Sequence, residues 1–471
     1  MTNWLPDLTH GTGPLYLRLA DRIEKDIEAG VLAAGAKLPP QRNLAFDINV
    51  TVGTVSRAYA LARERGLVAG EVGRGTYVLQ HDEASPGTAA PLPPFLAGTR
   101  GPAPVPGKLR MDSTAAPEVG QTETIARLTG EIARQHPEES LDYVRAPERD
   151  WLKAGSRWLA GDGWTPDEDT VVPTLGGHAA ILAVIAAMTV PGDKVVFEQL
   201  TFSSVARSAN LIGRRPMAID TDTDGADPED FERICAQQHP KIAFLMPCLQ
   251  NPTLTALPEA RRRDIVAIAR KYNVWLIEDG VYTALLENQP VPIAALAPER
   301  TFYIGSLSKA VAAGIRGGWA ACPPHFAPRV QTAYKMLTGG KPFLLAELAA
   351  RLVLSGEADD IRSRVRAEIA ARETMAREAF AGLDFSSHPS APFLWMKLPE
   401  PWLSGTFKNA AANEGVLIDD EDEFKCGRTD RTFHRARIAF SAPASRDGVA
   451  KGFAKLRALL DSGIAGYDSF G

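Results

Sequence analysis

Cysteine is scarce: four in 471 residues, Cys235, Cys248, Cys322 and Cys426, with no close pair. That spacing excludes a disulfide framework or a zinc site and fits reduced thiols in a cytosolic protein. Long apolar runs are missing too. None approaches the ~20 residues that span a bilayer, and the first seven residues have neither the basic start nor the apolar stretch of a secretory signal. The expectation is a cytoplasmic chain with no membrane contact. Net positive charge is absent, since 52 lysines and arginines face 57 aspartates and glutamates, a formal charge of -5. No overall basic field calls for nucleic acid, so any DNA contact must come from a local patch. What remains is ordinary globular material, 45% hydrophobic and 23% charged, in a chain long enough for two to four domains.

Composition changes sharply near residue 80. From Gln80 to Gly107 the text is rich in proline, alanine and glycine, including Pro86, Pro91, Pro93, Pro94, Pro102, Pro104 and Pro106. Such a stretch buries too little surface to fold and favours extended conformations. The expected division is a small domain at 1–79, a linker at 80–108 and a large α/β domain with a smaller C-terminal lobe at 109–471.

In the small domain Leu15, Leu19, Ile23 and Ile27 recur every four residues and mark one helix face, with Gly30 as its stop. Pro39-Pro40 opens a short helix through Leu44 and Ile48. Thr51 is a good N-cap for a third helix carrying Val52, Val55 and Tyr59, ended by Gly66. Residues 67–69 and 76–79 read as two strands around a turn at 70–75. Three helices and a hairpin make a winged helix-turn-helix. From Lys37 to Tyr77 six basic residues face three acidic ones. Arg42, Thr54, Arg57 and Arg74 stand where phosphates and groove edges would be met, whereas Arg63 and Arg65 are expected only to solvate a helix end.

In the large domain three apolar runs each end in a polar group. Ile242–Met246 leads to Asn251, Val274–Ile277 to Asp279 and Tyr282, and Phe302–Ile304 to Ser306, Ser308 and Lys309. Open α/β sheets bind ligands at the carboxyl ends of their strands. An amine, a carboxylate and an amide gathered there suit pyridoxal phosphate. Lys309 supplies the Schiff-base amine and Asp279 a partner for the pyridine nitrogen. Asn251 and Tyr282 can donate to the phenolate oxygen. Gly177 and His178, between a strand-like 171–173 and an apolar helix, offer backbone N–H groups to a phosphate, approached by Ser306, Ser308 and Arg316. Phe202 is placed to stack on the ring. Taken singly these signals have bland readings, such as a surface turn, a helix cap or a turn starter. Their order and strand-end placement together carry the assignment.

Two family resemblances follow. The segments Lys37–Ala45, Thr51–Tyr59 and Gly73–Val78 resemble the DNA-binding domain of GntR-family regulators. This resemblance implies DNA contacts by Arg42, Thr51, Thr54, Ser56 and the wing Gly73, Arg74 and Gly75. Val52 departs from it, since arginine usually follows the N-cap. The Gly-Gly turn at 176–177, Asn251-Pro252-Thr253, Asp279 with Tyr282, Ser306-x-Ser308-Lys309 and Arg316 resemble the class I/II aminotransferases of fold type I. By that likeness Arg437 receives the ligand carboxylate, a task suited to a planar guanidinium. The competing reading pairs Arg437 with Asp419 or Asp420. Departures are Phe202 for a usual tyrosine, Leu254 for a usual glycine, and His178 in a turn that usually reads Gly-Ala-Gln.

A winged helix joined to an aminotransferase-like domain resembles the MocR subfamily of GntR regulators. The resemblance implies a pyridoxal-phosphate-dependent regulator that binds a double-stranded DNA operator. It would sense an amine or amino-acid effector by external aldimine formation at Lys309. It further implies a homodimer, often head-to-tail in the subfamily. The alternative is an active aminotransferase with a helix-turn-helix appendage.

Overall fold

The computed structural model describes residues 4–8, 13–33, 35–65, 67–71, 75–78, 107–427, 429 and 431–462. The chain divides into two compact units, Met1–Ala97 and Gly98–Gly471. Most of the expected linker, together with Gly73 and Arg74 of the wing, lies outside the described residues.

The first unit contains helices α1 (Leu15–Glu28), α2 (Gln41–Asp47) and α3 (Val52–Glu64) and an antiparallel hairpin of β1 (Val68–Glu71) and β2 (Gly75–Val78). Leu19 and Ile23 of α1 are fully buried with Leu44, Val55 and Tyr59, but Leu15, in the first turn, is 43% exposed. Pro40 caps α2 rather than opening it, so that helix starts at Gln41. Thr51 Oγ1 accepts the Thr54 N–H at 3.2 Å, which satisfies one of the free donors at the start of α3. Arg65 does more than solvate a helix end. Its Nη1 lies 2.7 Å from Asp21 and 2.6 Å from Glu24, tying the residue after α3 to α1.

The second unit is built on a seven-stranded sheet. Its strands are β3 (Val171–Leu175), β4 (Lys194–Glu198), β5 (Arg215–Ile219), β6 (Ile242–Leu245), β7 (Trp275–Asp279), β8 (Thr301–Ser306) and β9 (Gly317–Ala321), in the order β3-β9-β8-β7-β6-β4-β5. β9 is antiparallel to both neighbours, and the pairs β7–β8, β6–β7, β4–β6 and β4–β5 are parallel. The inner strands β6, β8 and β9 are buried along their whole length, as strands of a sheet covered on both faces must be. Because β6, β7 and β8 are adjacent, the polar groups after each emerge side by side.

Close packing explains two glycines. A Cβ on Gly318 in β9 would stand 2.6 Å from the Cα of Gly176, and one on Gly177 would stand 2.9 Å from Val281 Cγ2. Gly176 begins helix α4 (Gly176–Met188). A second, four-stranded antiparallel sheet runs β10 (Phe385–Ser386), β11 (Phe393–Lys397), β13 (Arg435–Ala439), β12 (Asp419–Asp420). Its register sets Asp419 directly opposite Arg437. No helix among the described residues is long and apolar enough to cross a membrane.

Candidate cofactor and effector site

Lys309 follows β8 in a turn, and its Nζ donates to Thr114 Oγ1 at 2.7 Å. Thr114 also shares a 2.9 Å hydrogen bond with the Tyr282 hydroxyl. The lysine stands over that ring, 5.5 Å from its centroid. Thr114 is buried and lies 195 positions from the lysine. Sequence reasoning missed it, because no motif surrounds a lone threonine in the segment before the first helix of the unit. Arg110, Asp112 and Ser113 of the same segment also line the cavity.

Asp279 ends β7, is buried, and accepts the Val281 N–H at 3.0 Å. Burial raises its carboxyl to about 6, while the Lys309 charge pulls it down. Glu198, at the end of β4, is buried close by. It accepts the Met246 N–H at 3.0 Å. Burial pushes it up to about 8, and the Asp279 charge adds to the rise.

At the start of α4 the side-chain-poor turn Gly176-Gly177 leaves backbone donors open, as every helix start does. Arg316 is held at φ 51°, and its guanidinium carbon lies 3.6 Å from where a Cβ on Gly176 would be. A left-handed conformation at a non-glycine residue costs about 1–2 kcal/mol and clusters at functional sites. His178 meets the Phe202 ring edge-on at 5.9 Å and lies 3.2 Å from Ser208 Oγ. Burial, with the nearby Arg316 charge, lowers its pKa and favours the neutral imidazole.

Arg437 is 2% exposed. Its Nη1 donates to Asn251 Oδ1 at 2.8 Å, and Nη2 donates to Asp112 O at 3.0 Å and to Asp419 Oδ2 at 2.6 Å. The competing reading for Arg437, an ion pair with Asp419, therefore holds, while the guanidinium still lines the cavity. Its Nε is buried without a hydrogen-bond partner. The turn after Asn251 carries the expected departure at a physical cost. Leu254 sits at φ 63°, where a glycine would be unstrained.

Lys309, Asp279, Asn251, Tyr282, Phe202, Gly177, His178, Ser306, Ser308, Arg316 and Arg437 all line one cavity of about 230 Å³. In the first unit Arg42, Thr51, Ser56 and Arg57 are exposed and Thr54 is half-buried. Thr51 and Thr54 hydroxyls are 2.9 Å apart, and the Arg57 guanidinium lies 4.7 Å from the centroid of the Tyr16 ring. Gly75 opens β2.

Residues 156–454 match the aminotransferase class I and II family, and residues 15–78 match the gntR family of bacterial regulatory proteins. The chain belongs to both families, as a MocR-type regulator. It is 29% identical to the HTH-type transcriptional regulator YdeF of Bacillus subtilis, over 98% of this chain and 97% of that protein. It is 27% identical to the HTH-type regulator YdcR of Escherichia coli, over 94% of this chain and 98% of that protein. Among solved structures, the Thermus thermophilus α-aminoadipate aminotransferase LysN matches with a TM-score of 0.69 and 22% identity, over 76% of this chain and 94% of that one. A MocR-type regulator thus pairs a DNA-binding domain with a fold whose relatives use pyridoxal phosphate. The donor set here suits that cofactor: an amine and a buried carboxylate face one cavity, and the Gly176-Gly177 turn has no Cβ to fill the start of α4.

Proposed function

We propose that this regulator holds pyridoxal phosphate in the 230 Å³ cavity and senses a primary amine bearing a carboxylate or sulfonate. The observation that carries the reading is the convergence of Lys309, Asp279 and Arg437 on one cavity in a chain that also bears a DNA-binding domain. When bound, the cofactor supplies an electrophilic aldehyde carbon and an electron-withdrawing ring. Lys309 would be its covalent anchor. Thr114 accepts a hydrogen bond from Lys309 Nζ, so it helps to steady the lysine whenever its nitrogen carries no cofactor. Asp279 would face the ring nitrogen, where a positive partner returns its carboxyl to the ionised form. Asn251 and Tyr282 would hold the phenolate oxygen, Phe202 the ring face, and Gly177, His178, Ser306, Ser308 and Arg316 the phosphate. Arg437 would take the effector's acid group.

An effector that contacts the lysine-attached and lysine-free forms of the site differently shifts their balance. Transmission to Arg42, Thr51, Thr54, Ser56, Arg57 and the 73–75 wing would couple the sites by about 1–3 kcal/mol. The unit of action would be a homodimer reading two half-sites on double-stranded DNA. The test is to load the protein with pyridoxal phosphate, add candidate amines, and follow cofactor absorbance together with retention of a promoter fragment. A spectral change accompanied by altered DNA affinity supports sensing. Sustained keto-acid release with unchanged DNA affinity supports an aminotransferase instead.

A further inference from the structure

Lys341 lies just past the helix α5 (Ala327–Thr338), is 9% exposed, and its ammonium has no hydrogen-bond partner. Its Nζ stands 5.8 Å from the centroid of the Trp319 ring. A cation–π contact offsets only part of the cost of taking an ammonium out of water. Burial accordingly drags the amine down to about 7. The side chain lines a cleft of about 50 Å³ walled by Trp151, Pro173 and Tyr334. The other charged groups lining it are Arg145 and Lys335, and no carboxylate is among its walls. Three basic side chains around one small cleft, one of them buried without a partner, make a place that a negative charge would complete.

We propose that the cleft at Lys341 binds a small oxyanion, a carboxylate or phosphate group, at a site separate from the cofactor cavity. The two cavities share no lining residue. Tyr334 connects them, since it walls the cleft and its hydroxyl accepts the Leu175 N–H at 3.2 Å, at the entrance to α4. An anion on Lys341 therefore sits one side chain behind the Gly176-Gly177 turn. The same chemistry has two sources: a free anion, or an aspartate or glutamate of a second copy of this chain.

The test uses the full-length protein saturated with pyridoxal phosphate, so that added phosphate cannot occupy the cofactor cavity. A failure of loading shows separately as missing cofactor absorbance. Inorganic phosphate and acetate are titrated by calorimetry and by thermal unfolding, with sedimentation run in parallel. The variants are Lys341→Met, Lys341→Arg and the paired change Arg145→Ala with Lys335→Ala. For a free anion, phosphate raises the wild-type Tm. Binding then weakens about tenfold or more in Lys341→Met, the scale of a charged hydrogen bond, and is retained in Lys341→Arg. For a second copy, added phosphate has no effect, and Lys341→Met shifts self-association towards monomer by a similar factor while Lys341→Arg does not. The paired change weakens the same readout and serves if Lys341→Met does not fold. Variants that match the wild type in both phosphate response and self-association overturn the proposal.

Discussion

Replacing Asp419 leaves the buried Arg437 charge without its counter-ion. The pair is 2.6 Å apart, with side chains 0% and 2% exposed. Two unit charges about 4 Å apart interact by roughly 4 kcal/mol at an effective dielectric near 20. Removing one member of such a pair destabilises by about 3–5 kcal/mol, because the remaining charge stays buried. Arg437 keeps Asn251, the Asp112 carbonyl and the faces of Phe393 and Phe424, at 5.3 and 4.8 Å. These supports hold the side chain in place when Asp419 is lost. Asp419→Leu and Arg437→Met should each cost about 3–5 kcal/mol, and the double variant should cost less than their sum by about 3 kcal/mol. Urea unfolding of all four proteins gives the cycle. Asp419→Asn separates function from stability. It removes a negative charge beside the proposed acid receptor, so a carboxylate-bearing amine should bind about tenfold tighter, the scale of one charge-assisted hydrogen bond. Additive single costs, or unchanged ligand affinity in Asp419→Asn, would refute the reasoning.

Thr114→Val removes one hydrogen-bond acceptor of Lys309 Nζ, so the lysine should be held less firmly and pyridoxal phosphate should attach at a changed rate at neutral pH. Stopped-flow absorbance measures this, and an unchanged rate argues against the contact. Glu198 holds its proton more tightly folded than unfolded. Its contribution is thus complete below pH 4.5 and is lost as pH rises towards about 8. Glu198→Gln should therefore change cofactor-free stability little near pH 5 and raise it by a few kcal/mol near pH 8, read by urea unfolding at both values. Arg42→Ala should weaken DNA binding and lower the salt slope by about one ion if Arg42 meets a phosphate. Cofactor absorbance should stay unchanged in the same variant.

Much of the site is legible before folding because parallel strands place their carboxyl ends together. Asn251, Asp279 and Lys309 each follow an apolar run, and β6, β7 and β8 prove to be neighbours. Four-residue apolar spacing likewise announces α1, although Leu15 ends up exposed because the first turn reaches beyond the core. β9 was hidden: its glycines look like a loop, and only close contacts in the fold explain them, Gly317 against Ala349 and Leu307 and Gly318 against Gly176. Thr114 could not be read, since its role exists only through a contact across 195 positions. Asp419 was visible as a rival partner for Arg437, but the sequence could not show that Asn251 shares the same guanidinium.

Borohydride reduction of the cofactor-loaded protein, followed by peptide mass analysis, tests the sensing account most directly. Without amine, the phosphopyridoxyl mass should be on Lys309, and a saturating effector amine should remove it from that residue while DNA affinity changes. A label found elsewhere, or one that stays on Lys309 in the presence of an amine that alters DNA binding, would contradict the account.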